Sequence, residues 1–336
     1  MSAKNGNAAD RLDPGARPLV DAIAAFFPDV GGAVTDAVEA RRILDATPPS
    51  PLPVPDVGGV EDREIPGPPG APPIPVRIYA PQGGGAQARP LVVFFHGGGW
   101  VLCGLDSHDG TARALCADAG AVVVSVDYRL APESPFPAAV HDAYAAVRWA
   151  ADHAAELGAD PDTLTVAGDS AGGNLAAVVS QIARDEGGPH IARQILVYPA
   201  TDARGRSGSY ADNASGYFLT TAACAWFREQ YLGPDGDPAH PRVSPLLAED
   251  LSGLPPAHVV TAGCDPLCDE GRAYATALRE AGVEVGESHF PAMFHGFFGF
   301  PQLLEDARAA HAAVTEVIVS TLTDRKNSGA TGGGAG

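Results

Sequence analysis

Gly168-Asp169-Ser170-Ala171-Gly172 is the single G-x-S-x-G of the chain. A serine hydroxyl attacks a carbonyl only when a base takes its proton, and this five-residue pattern is the turn on which such a serine is presented. It follows an apolar run at 164–167 and opens a stretch of helical spacing at 171–184, where Leu175, Val178, Val179 and Ile182 fall at i, i+3, i+4 and i+7. Glycine at both flanks fits a turn too tight for side chains. A helix that starts beneath the serine adds positive partial charge where an oxyanion would form. In a chain with 40 glycines the short pattern alone is weak; its place between strand and helix makes it informative.

His96-Gly97-Gly98-Gly99-Trp100 is the second signal, directly after the apolar run 91–95. Three glycines after a strand let backbone N–H groups crowd a reacting carbonyl, the design of an oxyanion hole. A flexible turn does not need three glycines framed by His and Trp, and a phosphate loop would need different spacing and a following Lys-Ser or Lys-Thr. The serine chemistry then requires an acid and a histidine, in that order, further along the chain. Six of the ten histidines follow Ser170. His258 and His289 lie in strand-like runs, His311 in the last helical stretch, and His190 and His240 in polar loops. His295, in Met293-Phe294-His295-Gly296-Phe297-Phe298, follows a strand and sits in a loop among aromatics, so it is the best placed to reach across the sheet. Asp265 follows the run 258–262 and is the favoured acid; Asp269 is the competitor, expected on the next helix in a structural role. Glu133 precedes Ser170, which is the wrong order for the acid, and is expected to brace loops. Asp169 is expected to be a structural carboxylate.

The elements that must hold these residues read as an alternation. Short apolar or aromatic runs at 76–79, 91–95, 122–126, 164–167, 194–198, 258–262 and 283–290 read as strands. Stretches at 139–155, 171–184, 270–281 and 303–321 read as helices. The pattern predicts an α/β fold with a mostly parallel central sheet and helices on both faces, and ligands on such sheets bind beyond the carboxyl ends of the strands. The proline-rich segment 66–75 reads as a turn between two early strands, and 48–55 as a linker. Before it lie two expected helices. One starts near Asp13 and Pro14, read as N-cap and N1, and runs through Leu19, Ile23 and Phe26; the other covers 35–45 with Val38 and Ile43 inward. Residues 202–251 break the alternation as a polar, turn-rich insertion with one helix near 220–231. The first dozen residues are polar and expected to be loose, and the Gly/Ala/Ser-rich stretch 324–336 is expected to be disordered.

The 336 residues, 45% hydrophobic and 19% charged, fit one large α/β domain with an accessory piece. A net charge of −19 disfavours nucleic acid and anionic lipid surfaces and makes a neutral substrate the simpler expectation. No apolar run reaches a membrane span, so no stable membrane anchoring is expected. Residues 1–17 lack the basic and apolar segments of a secretory leader, which sets the expectation of a cytoplasmic protein. The five cysteines (Cys103, Cys116, Cys224, Cys264, Cys268) form no Cys-x-x-Cys, so neither a disulfide framework nor a zinc knuckle is expected, and no metal or cofactor is called for.

The motifs together resemble the hormone-sensitive-lipase-like esterases, the lipolytic family of the α/β-hydrolase fold with an HGGG box. The resemblance rests on HGGGW (96–100), DYRLAPE (127–133), GDSAGGNLA (168–176), D-P-L-x-D (265–269), HGFF (295–298), GYFLT (216–220) and the N-terminal LDP and EARR segments. It implies Ser170, Asp265 and His295 as a triad and the N–H groups of Gly98, Gly99 and Ala171 as the oxyanion hole. It further implies a helical cap formed by residues 1–50 and 202–251, over a catalytic core of 51–201 and 252–323. The implied activity is a carboxylesterase acting on short- to medium-chain acyl esters, with a small-molecule ester as its partner; a homo-oligomer is compatible with the sequence. Cys103, Cys264 and Cys268 depart from the family pattern, and Cys264 adjoins the acid. Trp100, Phe218, Leu219 and Phe297 are candidates for lining the cleft, with core packing an equal account of each. The rival readings are a receptor-like inactive hydrolase and a lactonase, amidase or deacetylase on the same triad.

Overall fold

The computed structural model describes residues 11–48, 51–83 and 89–331, with 325–331 as backbone only. Its centre is an eight-stranded sheet in the order β1-β2-β4-β3-β5-β6-β7-β8. The strands are β1 (Gly59–Ile65), β2 (Ile74–Ala80), β3 (Leu91–Phe95), β4 (Val122–Val126), β5 (Thr165–Asp169), β6 (Arg193–Val197), β7 (Ala257–Cys264) and β8 (Val285–Phe294). β1 and β2 form an antiparallel hairpin that joins β4 antiparallel; β3 to β8 run parallel to one another. The segment between β1 and β2 is the turn expected at 66–75.

The inner strands β3, β4, β5 and β7 are buried along their whole length because both faces of a parallel sheet are covered by helices. In β3, Leu91, Val93 and Phe95 enter one core, and Val92 and Phe94 enter the other. The first core is closed by α2 (Ala37–Asp45), α4 (Ala138–Asp152), α5 (Ala171–Glu186) and α8 (Cys268–Glu280); the second by α1 (Arg17–Phe26), α3 (Asp109–Ala119) and α9 (Glu305–Thr331). The insertion 202–251 carries α6 (Gly208–Asp212), α7 (Thr221–Leu232) and a 3₁₀ turn at Pro245–Leu247, one helix more than expected.

Three expectations are corrected. α1 begins at Arg17 rather than at Pro14, because the Asp13 carboxylate accepts the Gly15 N–H at 2.7 Å and closes a turn ahead of the helix. Val38 of α2 is 63% exposed; the inward residues are Ala37 and Ala40, with Ile43 half-buried. The stretch expected to be disordered from 324 is helical through Thr331, since α9 is anchored by Ala307, Ala310, Val314 and Ile318 and extending a helix already nucleated is easy. Residues 1–10 and 332–336 lie outside the described residues.

The expected triad and glycine loop follow parallel strands at their carboxyl ends: His96–Gly99 after β3, Ser170 after β5, Asp265 after β7 and His295 after β8. β3 is flanked by β4 on one side and β5 on the other, so the connections from β3 and β5 leave in opposite directions and open a crevice between them.

Candidate active site

Ser170 stands between β5 and α5 with φ 56° and ψ −117°, a conformation that a residue with a side chain adopts only under constraint. The constraint is visible. The Ser170 N–H donates to the Val197 carbonyl at 2.8 Å, and the Ser170 carbonyl accepts from Asn174 N at 3.0 Å. α5 presses onto the end of β3, so that a Cβ on Gly172 would stand 1.9 Å from the Phe95 carbonyl oxygen. Glycine there permits the close approach that sets the nucleophile beside the glycine loop.

The Ser170 Oγ lies 2.9 Å from His295 Nε2, and His295 Nδ1 lies 2.8 Å from Asp265 Oδ2. Asp265 is fully buried, and its other oxygen accepts the Leu267 N–H at 2.9 Å. The imidazole is thus held by a carboxylate that is itself held, and it packs against the Tyr198 ring with centroids 4.6 Å apart. The competing Asp269 starts α8 and accepts the Ser209 N–H at 2.8 Å, a structural contact. Three of the other histidines are engaged elsewhere: His258 meets Ser288 Oγ, His289 meets Thr261 Oγ1 and His311 meets the Phe298 carbonyl.

Gly98 and Gly99 take left-handed conformations, φ 111° and 61°, which turn the chain back over the sheet end. Among the described residues, the N–H groups of Gly98, Gly99 and Ala171 donate to no protein acceptor, so three donors remain for a ligand. The loop is clamped from below by residues the sequence reading left without a function in the site. The Asp169 carboxylate accepts the Gly97 N–H at 2.9 Å and lies 3.3 Å from His108 Nε2. Burial alone would raise this carboxyl; the neighbouring histidines, His108 foremost with His295 and His96 behind it, more than offset this and hold the group below the ordinary range. Tyr128 donates to the His96 carbonyl at 2.7 Å and stacks on its ring, and burial pushes the His96 imidazole down to about 3, so it stays neutral. The glycine run signals the loop in sequence, whereas the clamp joins residues 72 positions apart and carries no local signature.

The four cleft candidates divide. Trp100 is 6% exposed and stacks face to face on Tyr231, and Phe297 is fully buried between Tyr198 and Phe290; both serve as core in this structure rather than as open walls, because each ring finds an aromatic partner. Phe218 and Leu219 are half-exposed, with the Phe218 ring beside Gly296 next to the histidine. Burial raises the thiols of all five cysteines, Cys268 to about 11, so the one beside Asp265 is a packing residue with little thiolate at neutral pH.

A serine on a strand–helix turn, a histidine and an acid after later strands, and a free set of backbone donors over a mostly parallel sheet define an α/β hydrolase. Comparison with known proteins agrees. A family model described as the alpha/beta hydrolase fold matches residues 92–299. The chain is 48% identical over 318 residues to the carboxylic ester hydrolase LipN of Mycobacterium tuberculosis, covering 93% of this chain and 82% of the relative. It is 41% identical over 253 residues to an ethyl acetate hydrolase of Pseudomonas putida, covering 74% and 79%. The hyperthermophilic esterase of Pyrobaculum calidifontis superposes with a TM-score of 0.83 at 40% identity, over 93% of this chain and 99% of that one. The chain belongs to the hormone-sensitive-lipase-like esterases of the α/β-hydrolase fold, and it is a serine carboxylic ester hydrolase. Among the described residues, no helix is long and apolar enough to cross a membrane.

Proposed function

We propose that this protein hydrolyses short- to medium-chain acyl esters through an acyl-enzyme on Ser170. The observation that carries this reading is the unbroken chain from Ser170 Oγ through His295 to the buried Asp265. The ester carbonyl oxygen lies against the N–H groups of Gly98, Gly99 and Ala171. His295 Nε2 takes the Ser170 proton as Oγ bonds to the carbonyl carbon, and Asp265 orients the ring and stabilises the imidazolium. The tetrahedral oxyanion is held by the backbone donors. The C–O bond to the alcohol then breaks, and the leaving oxygen takes the proton from His295. Water attacks the acyl-serine with its proton passing to His295, and the acid leaves as Ser170 recovers its hydrogen. The route needs no metal or cofactor.

The net charge of −19 supports a neutral ester, and a relative named for ethyl acetate supports a small acyl group. Among the described residues, we assign 11–48 and 202–251 to a cap over a core of 51–83, 89–201 and 252–323. Support comes from the Trp226 indole of the insertion, which donates to the Thr35 carbonyl at 2.8 Å. The working compartment is taken to be the cytoplasm. The test is hydrolysis of p-nitrophenyl butyrate by wild type and by Ser170→Ala near neutral pH. Turnover by wild type and a fall of about 10⁴-fold or more in the variant is the expected result. Equal activity in both would remove Ser170 from the reaction, and no activity in either would leave a receptor-like hydrolase as the reading to pursue.

A further inference from the structure

The glycine loop has an unusual need for fastening. Gly99 and Trp100 both stand at φ 61°, and a tryptophan in that conformation relaxes unless its neighbours hold it. Within the loop, Val101 N and Leu102 N donate to the Gly98 carbonyl at 3.1 and 2.9 Å, and the Trp100 carbonyl accepts from Ala131 N at 2.9 Å. The next carbonyl, Val101, is taken by a side chain 60 positions earlier in the chain. Arg41 of α2 donates through Nε to the Val101 oxygen at 2.8 Å and through Nη2 to the Ala131 oxygen at 2.6 Å. The same guanidinium grips Glu133 with two bonds of 2.8 Å. One planar fork therefore joins an N-terminal helix, the segment after the glycines, and the 131–133 loop that supports it. On the opposite side, the Phe227 ring of α7 fills the space a Cβ on Gly99 would occupy.

We propose that Arg41 is a positioning residue for the esterase reaction, holding the Gly98 and Gly99 N–H groups in register with the oxyanion through its bonds to Val101, Ala131 and Glu133. The proposal rests on the serine-esterase reading above. Arg41 touches no substrate; it acts on the reaction by fixing where the loop carbonyls point and hence where the loop N–H groups point. The geometry requires the guanidinium rather than a positive charge alone, since an ammonium lacks the planar fork that meets the two carbonyls and the carboxylate together. Arg42, one residue on, pairs only with the exposed Glu39 on the outer face of the same helix and serves as the control.

The experiment compares wild type with Arg41→Met, Arg41→Lys, Glu133→Gln and Arg42→Met on p-nitrophenyl butyrate, with active sites counted by a p-nitrophenyl phosphonate so that only folded, competent enzyme enters kcat. The inhibition constant of a trifluoromethyl ketone, which forms a tetrahedral oxyanion on Ser170, is measured alongside. Displacing a donor costs less than deleting one, so Arg41→Met is expected to lose about 10- to 100-fold in kcat with KM nearly unchanged. Arg41→Lys recovers little of this, Glu133→Gln loses less because the two carbonyl bonds remain, and Arg42→Met matches wild type. The ketone weakens in step with kcat/KM across the series. If kcat per titrated site is unchanged in Arg41→Met and Glu133→Gln while only melting temperature or KM moves, Arg41 is a structural or substrate-contact residue and the proposal is wrong. If Arg41→Met does not fold, Glu133→Gln and Arg41→Lys decide by the same comparison. Absence of ester hydrolysis in wild type would instead strike the underlying function, a result separate from any pattern among the variants.

Discussion

At the scale of single residues, the site depends on a buried carboxylate doing one task. Asp265 has no exposed surface and spends one oxygen on Leu267 N and the other on His295 Nδ1, and in the proposed reaction this contact favours the tautomer that leaves Nε2 free to accept the serine proton. Asp265→Asn keeps the shape and removes the charge that stabilises the imidazolium. It is expected to lower kcat on p-nitrophenyl butyrate by about 10³–10⁴-fold with little change in KM, by steady-state kinetics. A loss under tenfold would mean that another group orients the histidine. That Ser170, His295 and Asp265 come together was legible in sequence because each follows a strand-like run, and the carboxyl ends of an open parallel sheet's strands lie side by side. The clamp of Asp169, His108 and Gly97 was not legible, because its contacts span 11 to 72 positions and depend on two strands lying side by side.

At the scale of elements, the legible parts are those whose local pattern and tertiary role agree. The run Leu-Val-Val-Phe-Phe of β3 and the valine-rich run of β4, broken only by the buried Ser125, are strands to the residue, since burial on both faces favours such runs. β1 reads Gly-Val-Glu-Asp-Arg-Glu-Ile and is mostly exposed; pairing with β2, rather than its composition, makes it a strand. α3 has no capping side chain at its start to announce it. Where α5 meets β3 the packing leaves no room. Gly172→Ala places a methyl 1.9 Å from the Phe95 carbonyl and is expected to cost about 3 kcal/mol or more, read by urea unfolding. A variant as stable as wild type would show that the contact relaxes freely.

A second element-scale prediction concerns α8. Glu270 is fully enclosed, accepts Thr201 N and Asp202 N through one oxygen, and ties α8 to the start of the insertion. Burial pushes its carboxyl from 4.5 up to about 8. Folding therefore favours the protonated group. Its contribution is complete below pH 4.5 and is lost as pH rises through about 8. Glu270→Gln cannot ionise, so its melting temperature is expected to gain on that of wild type between pH 5 and pH 9; parallel curves would contradict this assignment.

At the scale of the whole molecule, charge and topology set what reaches the site and what the site contains. With a net charge of −19 the surface repels anions over about one Debye length. Ester substrates carrying a carboxylate are expected to show a kcat/KM that rises about two- to fivefold from low to 0.5 M salt, while neutral esters of the same size stay level. Equal salt responses would mean that the cleft is shielded from the surface field. The topology brings together a serine and a histidine 125 positions apart and an aspartate 30 positions from that histidine, and the account stands on those three acting as one unit. The measurement that tests this most directly is peptide mapping after reaction with a p-nitrophenyl alkylphosphonate, on wild type, Ser170→Ala and His295→Ala. One phosphonyl group per wild-type chain is expected, located on Ser170, with none on Ser170→Ala and labelling slowed by at least about 10³-fold in His295→Ala. A label on any other residue, or equal labelling rates in wild type and His295→Ala, would contradict it.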